Sequence, residues 1–245
     1  MQYLQLDRVL RPSLLRRYLE WELLIKDRLL FAGIKQENHS IMLLFGVTTG
    51  LNLSANPLNQ NTGKSSKITA SVWLLIPKSI VAAIKTNSAD KFPVAVFLSG
   101  SPGVPTAWLN GLKLDNQIQQ ANSLYALKDF IAVLPDYNIE PHQDTGCMNI
   151  PSGVQVENWL TSDVYGYVVK NLPVKQNGWV VTGYSTGGWC SSMLAMKHPE
   201  IFKGAAPIAG YFQPDPPLNV DFKTRNLLKQ EYDLVSLSKL RSEPL

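Results

Sequence analysis

From residue 68 onward the chain repeats one pattern: a short, continuously apolar run, then a stretch whose apolar residues recur at helical spacing. The runs are ITASVWLLIP (68–77), PVAVFLSG (93–100), FIAVLPD (130–136), WVVTG (179–183) and GAAPIAGYF (204–212). Helical spacing fills 114–127, 154–172 and 186–198; in the second of these Val156, Trp159, Leu160, Val164, Tyr167, Val168 and Leu172 form one stripe. A strand that is apolar at every position has both faces buried, as in a parallel sheet covered by helices on each side. The pattern predicts an α/β fold, a mostly parallel sheet with helices on both faces.

Composition narrows the partners. The chain has 245 residues, 45% of them apolar and only 17% charged, which excludes a disordered protein and leaves ample material for a core. It contains no run of about 18 apolar residues, so no bilayer-spanning helix is expected. The net charge of +4 is spread thinly. Nucleic-acid binding calls for a basic stripe with interleaved aromatics, so no nucleic acid is expected. A dinucleotide fingerprint, a P-loop and Cys/His ligand spacing are all missing, and the expectation is no cofactor and no metal.

Residues 1–67 have a different texture. Leu14, Leu15, Tyr18, Trp21, Leu24 and Ile25 keep helical spacing within 1–35, amid mixed charges that read as a solvated helix face. The stretch IMLLFGVTTGLNL (41–53) has β or mixed character and is too short and too far along for a signal-peptide core. Residues 54–67 are polar and turn-forming. The expected division is an appendage with its linker, 1–67, and a main domain, 68–245. The apolar front leaves membrane-surface association open.

The informative motif is Gly183-Tyr184-Ser185-Thr186-Gly187-Gly188. It fits G-x-S-x-G, with a buried strand before it and a helix after it, the setting a nucleophile elbow requires. A serine on such a bend projects its hydroxyl above the sheet edge, and small neighbours let strand and helix approach. The helix N-terminus directs N–H groups at developing negative charge. Ser185 is the candidate nucleophile; the alternative is an ordinary serine in a Gly-rich turn. An oxyanion hole needs two backbone N–H groups, one from the residue after the nucleophile and one from an earlier strand–loop junction. Thr186 and Ser101, in Ser99-Gly100-Ser101-Pro102-Gly103, are the candidates.

The runs PVAVFLSGSPGVPTAW, IAVLPD, DTGC, NWLTSDVYGYV and GYSTGGWCSSMLAMKHPEIFKGAAPIAGYF resemble actinobacterial esterases of the esterase D and mycolyltransferase group of α/β-hydrolases. The resemblance covers about 68–240. It implies a Ser-His-Asp/Glu triad acting on acyl esters, small or lipid, or transferring the acyl group to a sugar hydroxyl. It supports Ser185, Ser101 and Thr186 in the roles above, and it implies a cell-envelope or secreted location. In Asp144-Thr145-Gly146-Cys147, Gly146 stands where the related loop carries an acidic residue.

Chain order in this fold is Ser, then acid, then His. After Ser185 comes one histidine, His198, at the far end of the elbow helix and roughly 15–20 Å away at 1.5 Å per residue. It is expected to interact with the helix dipole, not with Ser185. His39 lies in the appendage. His142 follows FIAVLPD and could approach the site only by breaking that order. Asp215 and Asp221 precede the acid position and read as solvated loop charges. The expectation is an esterase-type domain without its last strands, acid and base, incomplete at the C-terminus. Cys147 and Cys190 fall near the same sheet end, as a disulfide or as two buried thiols.

Overall fold

The computed structural model describes strands at 31–36 and 40–48, residue 66, and residues 68–239 except 87 and 140–142. The chain order is β1 (Phe31–Gln36), β2 (Ser40–Thr48), β3 (Thr69–Pro77), α1 (Lys78–Lys85), β4 (Val94–Leu98), α2 (Ala107–Asn110), α3 (Leu114–Tyr125) and β5 (Ile131–Pro135). Then α4 (Val156–Asn158) runs through a π-helical stretch (Trp159–Val164) into α5 (Tyr165–Asn171). β6 (Trp179–Tyr184), α6 (Thr186–Lys197), β7 (Phe202–Ile208), α7 (Phe222–Glu231) and α8 (Leu234–Lys239) complete it.

The described strands form one sheet in the order β1-β2-β3-β5-β4-β6-β7. β5, β4, β6 and β7 are parallel to one another, whereas β1–β2, β2–β3 and β3–β5 are antiparallel. Among the five strands expected after residue 68 the sheet is mostly parallel, as expected, and β1 and β2 extend it by two antiparallel pairings. A short connection such as the one between β1 and β2 can join only antiparallel neighbours. β2 pairs with β3 from Ser40↔Pro77 to Thr48↔Thr69, so the sheet runs on across residue 67. The helical spacing expected up to residue 35 ends in strand β1, and its apolar stripe at 14–25 lies outside the described residues.

Alternation along the strands sorts the core onto two faces. Leu74, Val96, Val133 and Val181 pack with Trp159, Trp179, Trp189 and Met193 under α4–α6. Leu75, Phe97, Ala132 and Leu134 pack with Trp108 and Leu114 under α2–α3. Helices thus cover both faces in the middle of the sheet. At β6–β7 the second face is open: Val180 is 44% and Ile208 49% exposed. Ser185 N–H donates to the Ile208 carbonyl (3.0 Å), so Gly204, Ala206 and Ile208 turn their backbone groups toward β6. By alternation Ala205 and Pro207 face the outer edge of β7, which has no partner strand among the described residues, and Lys203 sits at the register shift between Trp179↔Phe202 and Val180↔Gly204.

A buried carboxylate ties three elements together behind the sheet. Glu157 of α4 accepts from Lys197 Nζ (3.0 Å) and from the Tyr232 hydroxyl after α7, and lies 2.7 Å from His198 Nε2. Burial pushes its pKa up, but the bonds from His198, Tyr232 and Lys197 outweigh burial and hold it below the usual carboxylate range. A depressed carboxyl contributes stability that is present above its unfolded pKa, about 4.3, and lost as pH falls through its folded value. Glu157→Gln should therefore destabilise by about 2–4 kcal/mol at pH 7, since it breaks a buried charged pair. The gap to wild type in urea melts should narrow steadily below about pH 4.5, in line with that titration. A gap that stays constant down to pH 3 refutes the assignment.

Candidate active site

β6 ends on the bend that carries Ser185, at φ 55° and ψ −124°, in the region where residues with side chains are strained. Neighbours without side chains make the bend possible. A Cβ on Gly183 would lie 2.3 Å from the Gly187 carbonyl oxygen, and one on Gly187 would lie 2.4 Å from the Leu98 and Ser99 oxygens. The first turn of α6 therefore sits directly on the end of β4, and the Ser185 carbonyl accepts from Gly188 N–H (2.9 Å) and Trp189 N–H (3.2 Å).

The loop after β4 comes to the same place. A Cβ on Gly100 would be 3.3 Å from Ser185 Cβ and 3.0 Å from the Tyr184 ring. Ser185, Thr186 and the Ser101 loop are thus brought together at the C-terminal edge of the sheet. Two residues missed in the sequence brace that loop. The Tyr137 hydroxyl donates to the Ser99 carbonyl, and Asn138 Nδ2 donates to the carbonyls of Gly100 (3.2 Å) and Gly103 (2.8 Å). Burial, then the charge of Asp144, pushes the Tyr137 hydroxyl well above its ordinary pKa, so it stays a donor. Both follow FIAVLPD directly, and their position just past a strand end is the signal that could have found them.

The Asp144 loop forms the other wall. Asp144 Oδ2 accepts from the Thr186 hydroxyl (2.6 Å), and Oδ1 accepts from Gly146 N–H (2.8 Å). Gly146 and Cys147 both have positive φ (55° and 56°), in a turn closed by Met148 N–H to the Thr145 carbonyl (3.0 Å). The left-handed backbone at 146 favours glycine, a physical reason for its presence in place of an acidic residue. Cys147 and Cys190 are joined in a disulfide with Cα atoms 5.7 Å apart, which decides between the two alternatives.

A cavity of about 440 Å³ opens between Gln143–Asp144 and the segment Tyr211–Asn219. Gln143 Nε2 donates to Asn219 Oδ1 (2.6 Å) and Asn219 Nδ2 donates to Gln143 Oε1 (2.7 Å) across it. Tyr211 stacks on Trp189 (5.4 Å, 6°), and burial, then Asp144, raises its pKa to about 12. Asp215 lines this cavity, a more specific place than the expected loop charge, while Asp221 is exposed and caps α7 through Thr224 N–H (3.0 Å).

The one histidine among the described residues, His198, lies at the far end of α6. Its partners are the carboxylates of Glu157 and Glu200 (3.2 Å), so side-chain contacts, not Ser185, engage its ring. His39 and His142 lie outside the described residues.

Comparison with solved structures shows the fold. A ferulic acid esterase superposes with a TM-score of 0.62 at 15% identity, over 85% of this chain and 75% of that one. An S-formylglutathione hydrolase from Agrobacterium tumefaciens also gives 0.62, at 14% identity, over 87% and 76%. These likenesses show the fold, which is of the α/β-hydrolase class. An uncharacterized protein of Corynebacterium glutamicum is 26% identical over 136 residues, which is 52% of this chain and 30% of the relative. The match thus spans less than a third of that curated relative's length. The Esterase family model ("Putative esterase") matches residues 69–243, well over half of the chain, and the chain belongs to that family.

Proposed function

We propose that residues 68–245 form a serine esterase unit in which Ser185 Oγ attacks the carbonyl carbon of a small acyl ester. The N–H groups of Ser101 and Thr186 then receive the oxyanion of the tetrahedral intermediate. Its collapse expels the alcohol, which leaves with the proton that the Ser185 hydroxyl gave up through solvent, and the acyl group stays on Ser185 as an ester. Water then releases it as the acid, or a second hydroxyl takes it, and the proton lost by that nucleophile returns to Ser185 Oγ. The observation that supports this most is the strained Ser185 bend at φ 55°, wedged between the Ser101 loop and the first turn of α6. The cavity between Asp144 and Asn219 adjoins Thr186 and would receive part of the ester. The same cavity also offers apolar surface from Pro216, Pro217 and Leu218, which would suit the acyl chain of a lipid ester.

Ser185 has no imidazole beside it among the described residues, because His198 is held by Glu157 a helix length away. In subtilisin, losing the histidine alone lowers the rate by roughly 10⁶, with about 10³–10⁴ over water left from the oxyanion hole and binding. A second reading, a non-catalytic relative that keeps the fold for binding, rests on this observation. A fluorophosphonate probe, with peptide mapping of the adduct, separates the two. Slow labelling confined to Ser185 and abolished by Ser185→Ala supports the esterase. No adduct at Ser185 after prolonged exposure supports the binder.

Residues 1–53 are proposed to meet a membrane surface. Among the described residues no helix is long and apolar enough to cross a membrane. Co-flotation of the full chain with liposomes checks the surface contact, and its absence sets the idea aside.

A further inference from the structure

A set of contacts holds the first turn of α6. Asp144 bridges the Thr186 hydroxyl and Gly146 N–H, and the Gly146 carbonyl accepts from Trp189 Nε1 (3.0 Å). Trp189 stacks on Tyr211, which lines the cavity together with Asp144. The Cys147–Cys190 bond fastens the same loop to the same helix one turn further on.

The Thr186 N–H shares a planar peptide with the Ser185 carbonyl, which Gly188 and Trp189 N–H hold, so its direction follows the first turn of α6. An oxyanion donor acts only when it is already in place, so that turn must itself be held against the loops around it. From this we infer that Asp144 is a positioning residue: by gripping the Thr186 hydroxyl it fixes the place of that first turn, and with it the place of the Thr186 N–H. The inference rests on the reading of Ser185 as nucleophile and the Thr186 N–H as oxyanion donor.

The competing explanation is that Asp144 is an ordinary carboxylate at a helix N-terminus, favoured by the dipole. The two differ in what charge and hydrogen bonding do. A carboxylate so close to a developing oxyanion opposes it by charge. Its benefit to the reaction must therefore come through the bond to Thr186, and an uncharged acceptor at 144 would keep that benefit.

The test is the rate of Ser185 labelling by a small neutral fluorophosphonate in the full chain, with saturation kinetics and a thermal melt for each variant. Asp144→Ala and Thr186→Val should each lower the maximal labelling rate by about tenfold, a fraction of the 10²–10³ for losing a whole donor. The half-saturating probe concentration should stay as it was. Asp144→Asn, which retains an acceptor, should label about tenfold faster than Asp144→Ala. The double variant Asp144→Ala, Thr186→Val should be no slower than either single one, as expected of residues acting as a unit. Equal rates for the Asn and Ala variants, or wild-type labelling in Thr186→Val, overturn the proposal while leaving the nucleophile reading intact. Wild-type protein that never labels at Ser185 overturns both.

Discussion

Gly187→Ala is expected to destabilise the protein by about 3–5 kcal/mol, the range reached when core atoms are forced into occupied space. The new Cβ would lie 2.4 Å from the Leu98 and Ser99 oxygens and 2.8 Å from the Leu98 carbonyl carbon. These are backbone atoms at the end of β4, and no side-chain rotation can move them away. The helix or the loop must shift instead, and the shift separates Ser185 from the Ser101 loop. At roughly 2–4 °C per kcal/mol for a chain this size, the melting temperature should fall by about 10 °C. Ser185 labelling should fall with it even below the melt. Gly166→Ala is the control. It lies in α5 with nothing within 4 Å of its would-be Cβ, and alanine there should stabilise by about 0.5–1 kcal/mol. If Gly187→Ala melts with the wild type, the close approach of α6 to β4 is wrong.

Replacing Cys147 and Cys190 together by alanine should lower stability by about 4 kcal/mol, the loop-closure entropy for their separation of 43 residues. Alanine is chosen because both sulfurs are buried, and serine would add an unpaired hydroxyl in each place. The effect should appear as a lower urea midpoint for the double variant. Wild type measured with reductant should approach the same value, and reductant should leave the variant unchanged. A variant as stable as the oxidised wild type would mean that the bond closes a loop already held by other contacts. Trp189 on Gly146 and Asp144 on Thr186 are the contacts that would have to do so.

The sheet was legible in the sequence because a doubly covered strand must be apolar at each position, as β5 is. Periodicity also placed α6 and the serine bend, since the glycines there answer a purely local steric demand. The last strand was misjudged at both ends. Phe202 already pairs with Trp179, and Ala209 turns to φ 48°, so the strand stops before Gly210. Helix α1 was missed because KSIVAAIK is too short to show two turns of period beyond the preceding strand. The open face at β6–β7 was hidden for another reason: Val180 and Ile208 look like core residues, and only the arrangement shows that no described residue covers them. The Asp144–Thr186 bond was beyond reach, because sequence separation conceals contacts that the sheet creates between the ends of β5 and β6, which lie on either side of β4. His198 was rightly kept away from Ser185 by helix length, but its partner Glu157 belongs to a distant helix and left no local trace.

The outer rim of β7 bears on how the molecule behaves in a concentrated solution. Among the described residues Ala205 and Pro207 hold outward positions there, and the exposed Lys203 sits at the register shift just before them. A second chain trying to extend the sheet would meet a solvated ammonium at one point and a nitrogen with no hydrogen at another. Lysine and proline at such a rim are known deterrents to sheet-to-sheet polymerisation. The exposed Ile208 lies on the sheet's face, not in that row of hydrogen-bonding groups, so sticky contacts there need not template fibres. Crowded molecules of this protein should cluster reversibly and amorphously, without the ordered cross-linking of strands that dyes for amyloid detect.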